Sequence, residues 1–222
     1  KEGPPAIIGF SYWVWNATLS RNFAKVIREL SPQTIIVFGG QIYPLMDEEW
    51  HDFLLETPEV DFYVVEEGEV PFSALIERLL VTGMDKRAVH GAVQSVHSID
   101  ESGVVHMPAV QPRMLDLDSI PSPYTTGRLA EFFDGKLVPI ILTNRGCPFR
   151  CTFCSQGTKQ YDKVVKRGMS RVEEEIRYIA ERMQAVRNKG GRNDLLLADS
   201  NFGMIPQDVE VAKFLHQMRQ EY

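Results

Sequence analysis

Cysteine is scarce in this 222-residue chain, and long apolar runs and an excess of basic charge are missing altogether. Only three cysteines are present, which excludes the dense disulfide framework of small secreted proteins. No apolar run approaches the ~18–20 residues that cross a bilayer, so we expect no membrane-spanning helix and no membrane partner. The net charge of −6 gives no support for nonspecific binding to nucleic acid.

The rest of the composition is that of an ordinary globular protein with its own hydrophobic core. Apolar residues make up 44% and charged residues 24%, and the length suits one or two domains. The chain opens at Lys1 without a methionine and ends at Tyr222 directly after a helical pattern, so we expect a piece of a longer protein. Reduced cysteines without a visible signal peptide favour a cytoplasmic location.

The three cysteines lie within one short run, Cys147, Cys151 and Cys154, in the spacing C-x-x-x-C-x-x-C. This spacing brings three thiolates around one centre, and a fourth is missing. Thiolates suit iron–sulfur clusters or zinc. In a cubane cluster of four irons, three protein ligands would leave one iron open to bind another molecule.

Two plainer interpretations of the cysteines are a zinc knot and a disulfide. A zinc knot usually shows two pairs of ligands, but no other cysteine or histidine lies within thirty residues of the trio. Zinc completed by a distant histidine therefore stays the less favoured alternative. A disulfide is disfavoured because the count is odd, the spacing is tight and nothing indicates secretion.

The first 81 residues alternate between short apolar runs and amphipathic stretches. We predict strands at 6–11, 34–38 and 60–65, and helices at 18–30, at 47–55 and from about Pro71. Continuous apolar strands separated by helices are typical of a parallel sheet covered on both sides. The helical spacing over 18–30 predicts a core face made of Phe23, Val26, Ile27 and Leu30.

Residues 82–137 break this alternation. Strands predicted at 88–99 and 104–110 are joined by a turn signal at 100–103, and four prolines then indicate an extended connector. From residue 138 the alternation resumes with a strand that leads into the cysteine loop. A helix, a strand at 194–198, the loop 199–203 and a helix from Pro206 follow. In parallel barrels the chemistry lies in loops after the strands, where both of these loops fall.

The run from Thr143 to Cys154 resembles the cluster motif of radical S-adenosylmethionine (SAM) enzymes, including an aromatic residue, Phe153, before the last cysteine. The resemblance implies a 4Fe–4S cluster on the three cysteines, with SAM chelated by the open iron. One electron from the cluster would then cleave SAM to a 5'-deoxyadenosyl radical. The family position also implies a set of SAM contacts, namely Phe153, Asp199, Ser200 and Asn201.

The first 81 residues resemble the cobalamin-binding domain that precedes the radical SAM domain in one large subgroup. Ser11-Tyr12-Trp13 matches a Ser-x-Leu element, with tryptophan in place of leucine, and precedes Gly39-Gly40 by the family's interval. Trp15-Asn16 matches a Trp-Asn pair, and residues 66–69 match a Gly-Glu-Gly-Glu loop in which Glu66 replaces the first glycine. The implied cobalamin contacts are Ser11, Tyr12, Trp13, Trp15, Asn16, Gly39, Gly40, Gln41, Glu67, Gly68 and Glu69.

Each of these candidates also has a plainer interpretation. The aromatic residues Tyr12, Trp13 and Trp15 suit a core or an interface, and alternation in an extended segment would send the two tryptophans to one face. Glu67 and Glu69 suit the N-terminus of the helix that follows them. Asp199 and Asn201 suit a cap on the next helix.

The resemblance implies an α/β fold in three parts. Residues 1–81 would form an N-terminally incomplete, Rossmann-like cobalamin-binding domain, and residues 82–137 a linker with a β-hairpin. Residues 138–222 would form the start of a radical SAM partial TIM barrel that is incomplete at its C-terminus. We expect this piece to be inactive by itself, since it holds only two of the barrel's β/α units.

The function that the resemblance favours is a cobalamin-dependent radical SAM C-methyltransferase. One SAM would methylate cobalamin, and a second would generate the radical that activates a substrate carbon. The expected partners are a small-molecule or natural-product substrate and a flavodoxin- or ferredoxin-like reductant. The alternatives are a cobalamin-dependent rearrangement or ring closure, a radical SAM enzyme with a vestigial or substrate-binding Rossmann domain, and a non-catalytic corrinoid- or metal-binding module.

Overall fold

The chain forms two units, which a computed structural model describes over residues 3–44, 46–158 and 160–222. The first unit is Lys1–Arg113 and the second is Met114–Tyr222. No helix in these described ranges is both long and apolar enough to cross a bilayer.

A five-stranded sheet in the order β1-β2-β3-β4-β5 organises the first unit. The strands β1, β2 and β3 run parallel, whereas β4 and β5 continue the sheet in antiparallel pairing. The predicted parallel strands and helices are therefore present, with bounds that differ from the prediction by a few residues. The elements are β1 (Ile7–Ser11), α1 (Ala17–Leu30), β2 (Ile35–Gly39), α2 (Trp50–Leu55), β3 (Phe62–Val64), α3 (Glu69–Val81), β4 (Val96–Ile99) and β5 (Val105–His106).

The two faces of this sheet bury separate sets of side chains. Ile36 and Phe38 on β2 pack on one side with residues of α1 and α2, while Ile35 and Val37 pack on the other side with α3. Successive residues of a strand point to opposite faces, so a continuously apolar strand is buried on both. The helices thus cover both faces, as the apolar strands predicted.

The core face of α1 differs from the prediction. Phe23, Val26 and Leu30 are 53%, 48% and 82% exposed, and the helix instead packs through Ser20 and Ala24, which are almost fully buried. Ile27 is the predicted residue that does pack against this core. Two neighbouring stripes share the same helical spacing, and the stripe of smaller side chains lets the helix approach the sheet closely. Periodicity alone does not separate two such stripes.

The predicted hairpin is part of the first sheet. Its turn forms where predicted, because one carboxylate oxygen of Asp100 accepts hydrogen bonds from the backbone N–H groups of Ser102 at 2.9 Å and Val104 at 3.0 Å. Both strands are shorter than predicted, and the segment before β4 begins with a 3-10 turn at Lys86–Ala88. Part of the stretch 82–137 therefore extends the sheet beside β3 instead of forming a connector.

The second unit contains two consecutive β/α segments. Strands β6 and β9 pair in parallel, with Ile141 opposite Leu197, and α4 and α5 pack on a shared core. A short antiparallel pair, β7 and β8, flanks the cysteine loop. The elements are β6 (Ile140–Ile141), β7 (Asn144–Arg145), β8 (Val165–Lys166), α4 (Met169–Asn188), β9 (Leu196–Leu197) and α5 (Pro206–Glu221).

His97 on β4 is fully buried in the first unit and uses both ring nitrogens. Its Nε2 lies 3.2 Å from the carbonyl oxygen of Pro108, which can only accept, so Nε2 carries the proton. Its Nδ1 therefore accepts the hydrogen bond from the Tyr43 hydroxyl, 2.8 Å away. Burial lowers the pKa of His97 below its ordinary value.

This arrangement makes the free energy of unfolding depend on pH. Because the pKa of His97 is lowered in the folded state, its stabilisation is complete above the unfolded pKa of about 6.5 and is lost as the pH falls below it. We expect a slope of up to about 1.4 kcal/mol per pH unit from this residue. Urea unfolding between pH 7.5 and 5.5 should show a steeper dependence for the parent than for His97→Gln. Equal slopes would contradict the assignment.

Candidate functional site

The cysteine loop begins directly after β7 and is fixed at its start by a backbone hydrogen bond. The N–H of Cys147 donates to the carbonyl oxygen of Tyr161 at 2.8 Å, across the base of the loop. The preceding Gly146 has a φ of +104°, a conformation that glycine adopts without strain. All three thiols are free; Cys147 is half-buried, and Cys151 and Cys154 are exposed.

The second half of the loop folds back on its own backbone. The N–H of Cys154 donates to the carbonyl of Cys151 at 3.1 Å, and the N–H of Gly157 donates to the carbonyl of Cys154 at 2.9 Å. A Cβ atom at Gly157 would collide with the carbonyl oxygen of Cys151. A residue without a side chain is therefore needed at 157 to keep the turn that spaces the last two cysteines.

The donor atoms of the cysteine loop are of the kind that an iron–sulfur cluster takes. Among the residues that the structure describes, no three His, Cys, Asp or Glu side chains are grouped closely enough to hold one metal ion. A structural zinc needs four ligand atoms, with each sulfur at about 2.3 Å from the same ion. Iron–sulfur clusters are held by thiolates, and three free thiols on one loop provide such donors.

Asp199, which follows β9, ties the ends of the two parallel strands together. One carboxylate oxygen accepts from the backbone N–H of Thr143 at 2.7 Å, and the other accepts from the Thr143 hydroxyl at 2.5 Å. The second oxygen also accepts from the side-chain amide of Asn144 at 3.1 Å. Both oxygens are therefore engaged in holding the entry to the cysteine loop. Thr143 and Asn144 are buried contributors that the sequence reasoning did not single out.

The two residues after Asp199 reach the cysteine loop directly. The Ser200 hydroxyl donates to the side-chain oxygen of Gln156 at 2.6 Å. The side-chain amide nitrogen of Asn201 lies 3.0 Å from the sulfur of Cys147. The structure thus brings the 199–201 segment and the cysteine loop together, while Phe153 is 91% exposed.

Capping of α5 is done by Asp208, contrary to the alternative that assigned it to Asp199 or Asn201. A buried carboxylate oxygen of Asp208 accepts from the backbone N–H groups of Gly203, Met204 and Ile205 at 2.8–3.1 Å. The signal was present in the sequence, since an acidic residue two positions after Pro206 is typical of a first helical turn.

In the first unit, the segment after β1 closes into a small loop through its own polar side chains. The Asn16 side chain accepts from the backbone N–H of Trp13 at 2.8 Å and donates to the carbonyl of Ser11 at 2.7 Å. The Trp13 indole N–H donates to the Ser11 hydroxyl at 2.6 Å. Trp13 and Trp15 stack with centroids 5.0 Å apart, and Trp15 is 75% exposed. The pair presents a flat aromatic surface.

Tyr12 points the other way from the tryptophan pair, into the core. It is 4% exposed and packs its ring 4.6 Å from that of Phe38. Burial raises its pKa above the ordinary tyrosine value. The plainer interpretation of Tyr12 as a core aromatic therefore describes its side chain, and only its backbone faces the loops at this edge.

The loops after β1 and β2 lie against each other at Gly40. The N–H of Tyr12 donates to the carbonyl of Gly39 at 2.7 Å, and the hydroxyl of Tyr63 donates to the carbonyl of Gly40 at 3.0 Å. Gly40 has a φ of +147°, and a Cβ there would collide with the carbonyl oxygen of Tyr12. The second glycine of the pair thus permits a close approach of backbones. Gln41 follows it at an exposed position.

The loop after β3 completes this edge of the sheet. Glu66 has a φ of +64°, the left-handed conformation that glycine tolerates best, which explains why the family pattern has glycine there. Glu67 lies 3.7 Å from Arg113, so its carboxylate has an ionic partner. Gly68 precedes α3, and Glu69 occupies the first turn of that helix, as its plainer interpretation expected.

Comparison with known proteins identifies the family, although no family model matches the chain. The cobalamin-dependent radical SAM methyltransferase TokK of Streptomyces tokunonensis is 31% identical over 227 residues, covering 98% of this chain and 30% of TokK. This chain belongs to the family of cobalamin-dependent radical SAM enzymes. It spans about 30% of the length of that curated relative.

Solved structures of the family share the fold. The cobalamin-dependent radical SAM enzyme OxsB, with aqua-cobalamin and SAM bound, matches 98% of this chain and 29% of its own, with a TM-score of 0.66 at 21% identity. The methyltransferase TsrM of Kitasatospora setae matches the whole chain and 42% of its own, with a TM-score of 0.64 at 19% identity. TsrM is also known with cobalamin and a [4Fe–4S] cluster bound. The predicted α/β fold class is thereby confirmed, and the three predicted cofactors are ones that these solved relatives bind.

Replacing Gly40 tests the close approach of the two loops in the first unit. Gly40→Ala should lower the free energy of unfolding by about 3 kcal/mol, because the new methyl group meets backbone that cannot move aside. Gly83→Ala is the control, since Gly83 also has a positive φ, +65°, but open space around it, and the substitution should cost only about 1 kcal/mol. Urea denaturation measures both values, and equal losses would contradict the collision.

Removing the charge of Asp199 tests its role as the link between β6 and β9. Asp199→Asn keeps the shape but turns an acceptor into a donor facing other donors, so we expect a loss of about 2–3 kcal/mol in the free energy of unfolding. Asp194→Asn, on the exposed approach to β9, should change it by less than about 0.5 kcal/mol. A loss no larger than that of the control would show that Asp199 is not an anchor.

Proposed function

We propose that this chain forms the cobalamin-binding unit and the start of the SAM-binding unit of a radical SAM C-methyltransferase. The observation that carries the proposal is the contact of the 199–201 segment with a loop bearing three free thiols. Parallel barrels assemble their sites from such neighbouring loops after the strands. Methyl transfer is favoured because the relative TokK, similar over 98% of this chain, is a methyltransferase.

Cys147, Cys151 and Cys154 would hold a 4Fe–4S cluster and leave its fourth iron to SAM. When bound, the cluster supplies the electron that cleaves SAM, and cobalamin supplies a carrier for the methyl group. The exposed ring of Phe153 would cover SAM from the side of the cysteine loop. Ser200, fixed by Gln156, would face SAM from the second loop. Asp199 would act indirectly, by holding both loops in place.

The cobalamin site is proposed at the carboxyl edge of the first sheet, where an open parallel sheet binds its ligands. The stacked pair Trp13 and Trp15 offers a flat, largely exposed surface to a flat macrocycle. Gly39 and Gly40 would let backbone approach the ligand closely. Ser11 and Asn16 would shape the loop that carries the tryptophans. Other contacts are proposed from Gln41, Glu67, Gly68 and Glu69 and from the backbone of Tyr12.

The substrate is proposed to be a small molecule or natural product, as tryptophan is for TsrM. A flavodoxin- or ferredoxin-like protein would supply the electron. The acidic net charge of −6 offers no surface excess of cations for nucleic acid. Neither a membrane nor a nucleic acid is therefore part of the proposal, and a cytoplasmic location is retained as the expected one.

The test is the metal content of the full-length protein that contains this chain. After anaerobic reconstitution with iron, sulfide and hydroxocobalamin and desalting, we expect about one cobalt and about four irons per chain. Substituting all three cysteines by alanine should remove the iron and leave the cobalt. Trp13→Ala combined with Trp15→Ala should do the reverse, which separates the two sites.

The outcomes discriminate between the alternatives. Iron without cobalt would leave a radical SAM enzyme with an unexplained first unit, and zinc in place of iron would overturn the cluster. If both cofactors bind, isotopic methyl label from SAM should appear on cobalamin. Label that never reaches cobalamin would point to rearrangement or ring closure, and SAM that leaves the cluster's spectrum unchanged would point to a non-catalytic module.

A further inference from the structure

The side-chain amide of Asn201 makes a contact that neither SAM binding nor helix capping explains. Its nitrogen lies 3.0 Å from the sulfur of Cys147, across 54 residues of sequence. A carboxamide presents N–H donors at one end and an acceptor oxygen at the other. A cysteine that ligates a metal is a thiolate, which can only accept. The nitrogen end must therefore face the sulfur once Cys147 is a ligand.

We propose that Asn201 is a positioning residue that sets the reduction potential of the cluster by donating an N–H···S hydrogen bond to Cys147. The inference rests on the proposed function in one respect, namely that Cys147 is a cluster ligand. It assigns Asn201 to a cysteine ligand of the cluster, whereas the family resemblance implied a contact with SAM.

The amide is held in place by its neighbours on both sides of the contact. Asp199, two residues earlier, is anchored to Thr143 by hydrogen bonds of 2.7 Å and 2.5 Å. Ser200 is anchored to Gln156 at 2.6 Å. On the other side, the backbone N–H of Cys147 is fixed to the carbonyl of Tyr161. Donor and acceptor are thus both preorganised, so the bond costs little ordering when it forms.

Cys147 is also the cysteine at which such a bond has most effect. It is half-buried, whereas Cys151 and Cys154 are exposed to water. Water competes with a hydrogen bond to an exposed sulfur, and a less polar environment strengthens the same bond. A hydrogen bond to Cys147 should therefore be stronger than the same bond to either exposed cysteine.

The effect on the potential follows from charge. Reducing the cluster adds a negative charge that spreads onto its sulfur ligands, and an N–H donor stabilises that charge. Asn201 should therefore favour the reduced cluster, and removing its donor should make reduction harder. The functional consequence is that a reductant would transfer its electron to the cluster more readily.

The experiment is a redox titration of the reconstituted full-length protein without SAM, followed by electron paramagnetic resonance of the reduced cluster. Asn201→Leu removes the donor, and Asn201→Asp replaces the amide by a carboxylate of the same shape. We expect the midpoint potential to fall in both, with about a tenfold lower ratio of reduced to oxidised cluster in Asn201→Leu, equivalent to about 59 mV. The fall should be larger in Asn201→Asp because of the added charge.

The matched controls are Asn193→Leu and Asn193→Asp, which make the same changes at an exposed position before β9. These two controls should leave the midpoint potential unchanged. The iron content and the shape of the spectrum should stay the same in all variants. If Asn201→Leu fails to bind iron, the isosteric Asn201→Asp decides. A normal cluster with an unshifted midpoint in that variant overturns the inference and leaves the proposed function standing. If the parent itself assembles no 4Fe–4S cluster, the proposed function fails first.

Discussion

The carboxylate of Asp199 is the interaction on which the second unit's site depends. Its two oxygens accept hydrogen bonds from Thr143 and Asn144, which lie between β6 and the cysteine loop. Two short strands provide few ladder bonds of their own. A charge-assisted link at the ends of these strands therefore fixes the position of the cysteine loop relative to the loop 199–203. Ser200 and Asn201 can contact the cysteine loop because the two loops are held in this relative position.

The first unit reaches a similar result by a different means. Its three parallel strands are long enough to hold one another, so the loops at their carboxyl ends need only close approach. Gly40 provides it by allowing backbone of two loops to meet, and Asn16 closes the loop that carries the tryptophan pair. In both units, hydrogen bonds and close approaches of backbone shape the loops that carry the proposed cofactor contacts.

The sequence was most informative where a physical pattern had one solution. Apolar runs predicted β2 and β3 because a strand buried on both faces has no polar positions, and they also predicted β1, which is only partly buried. The cysteine spacing predicted that all three thiols share one loop, because they lie within a single short run of the sequence. The prediction that Phe23 lies on the core face of α1 was wrong, because two neighbouring stripes of side chains fit the same helical period. The partners of Asp199 could not be predicted, since Thr143 lies 56 residues away and no local pattern joins them.

The distance along the chain between Thr143 and Asp199 has a consequence during protein synthesis. Fifty-six residues separate them, so Asp199 is added roughly 3–11 s after Thr143 at the usual 5–20 residues per second. The three cysteines are added early in that interval, and for the rest of it the loop that carries them lacks its anchor. Iron delivered in those seconds would meet three loose thiols. We therefore expect cluster insertion to come late, once the ribosome has moved well past the cysteines and β9 has joined β6.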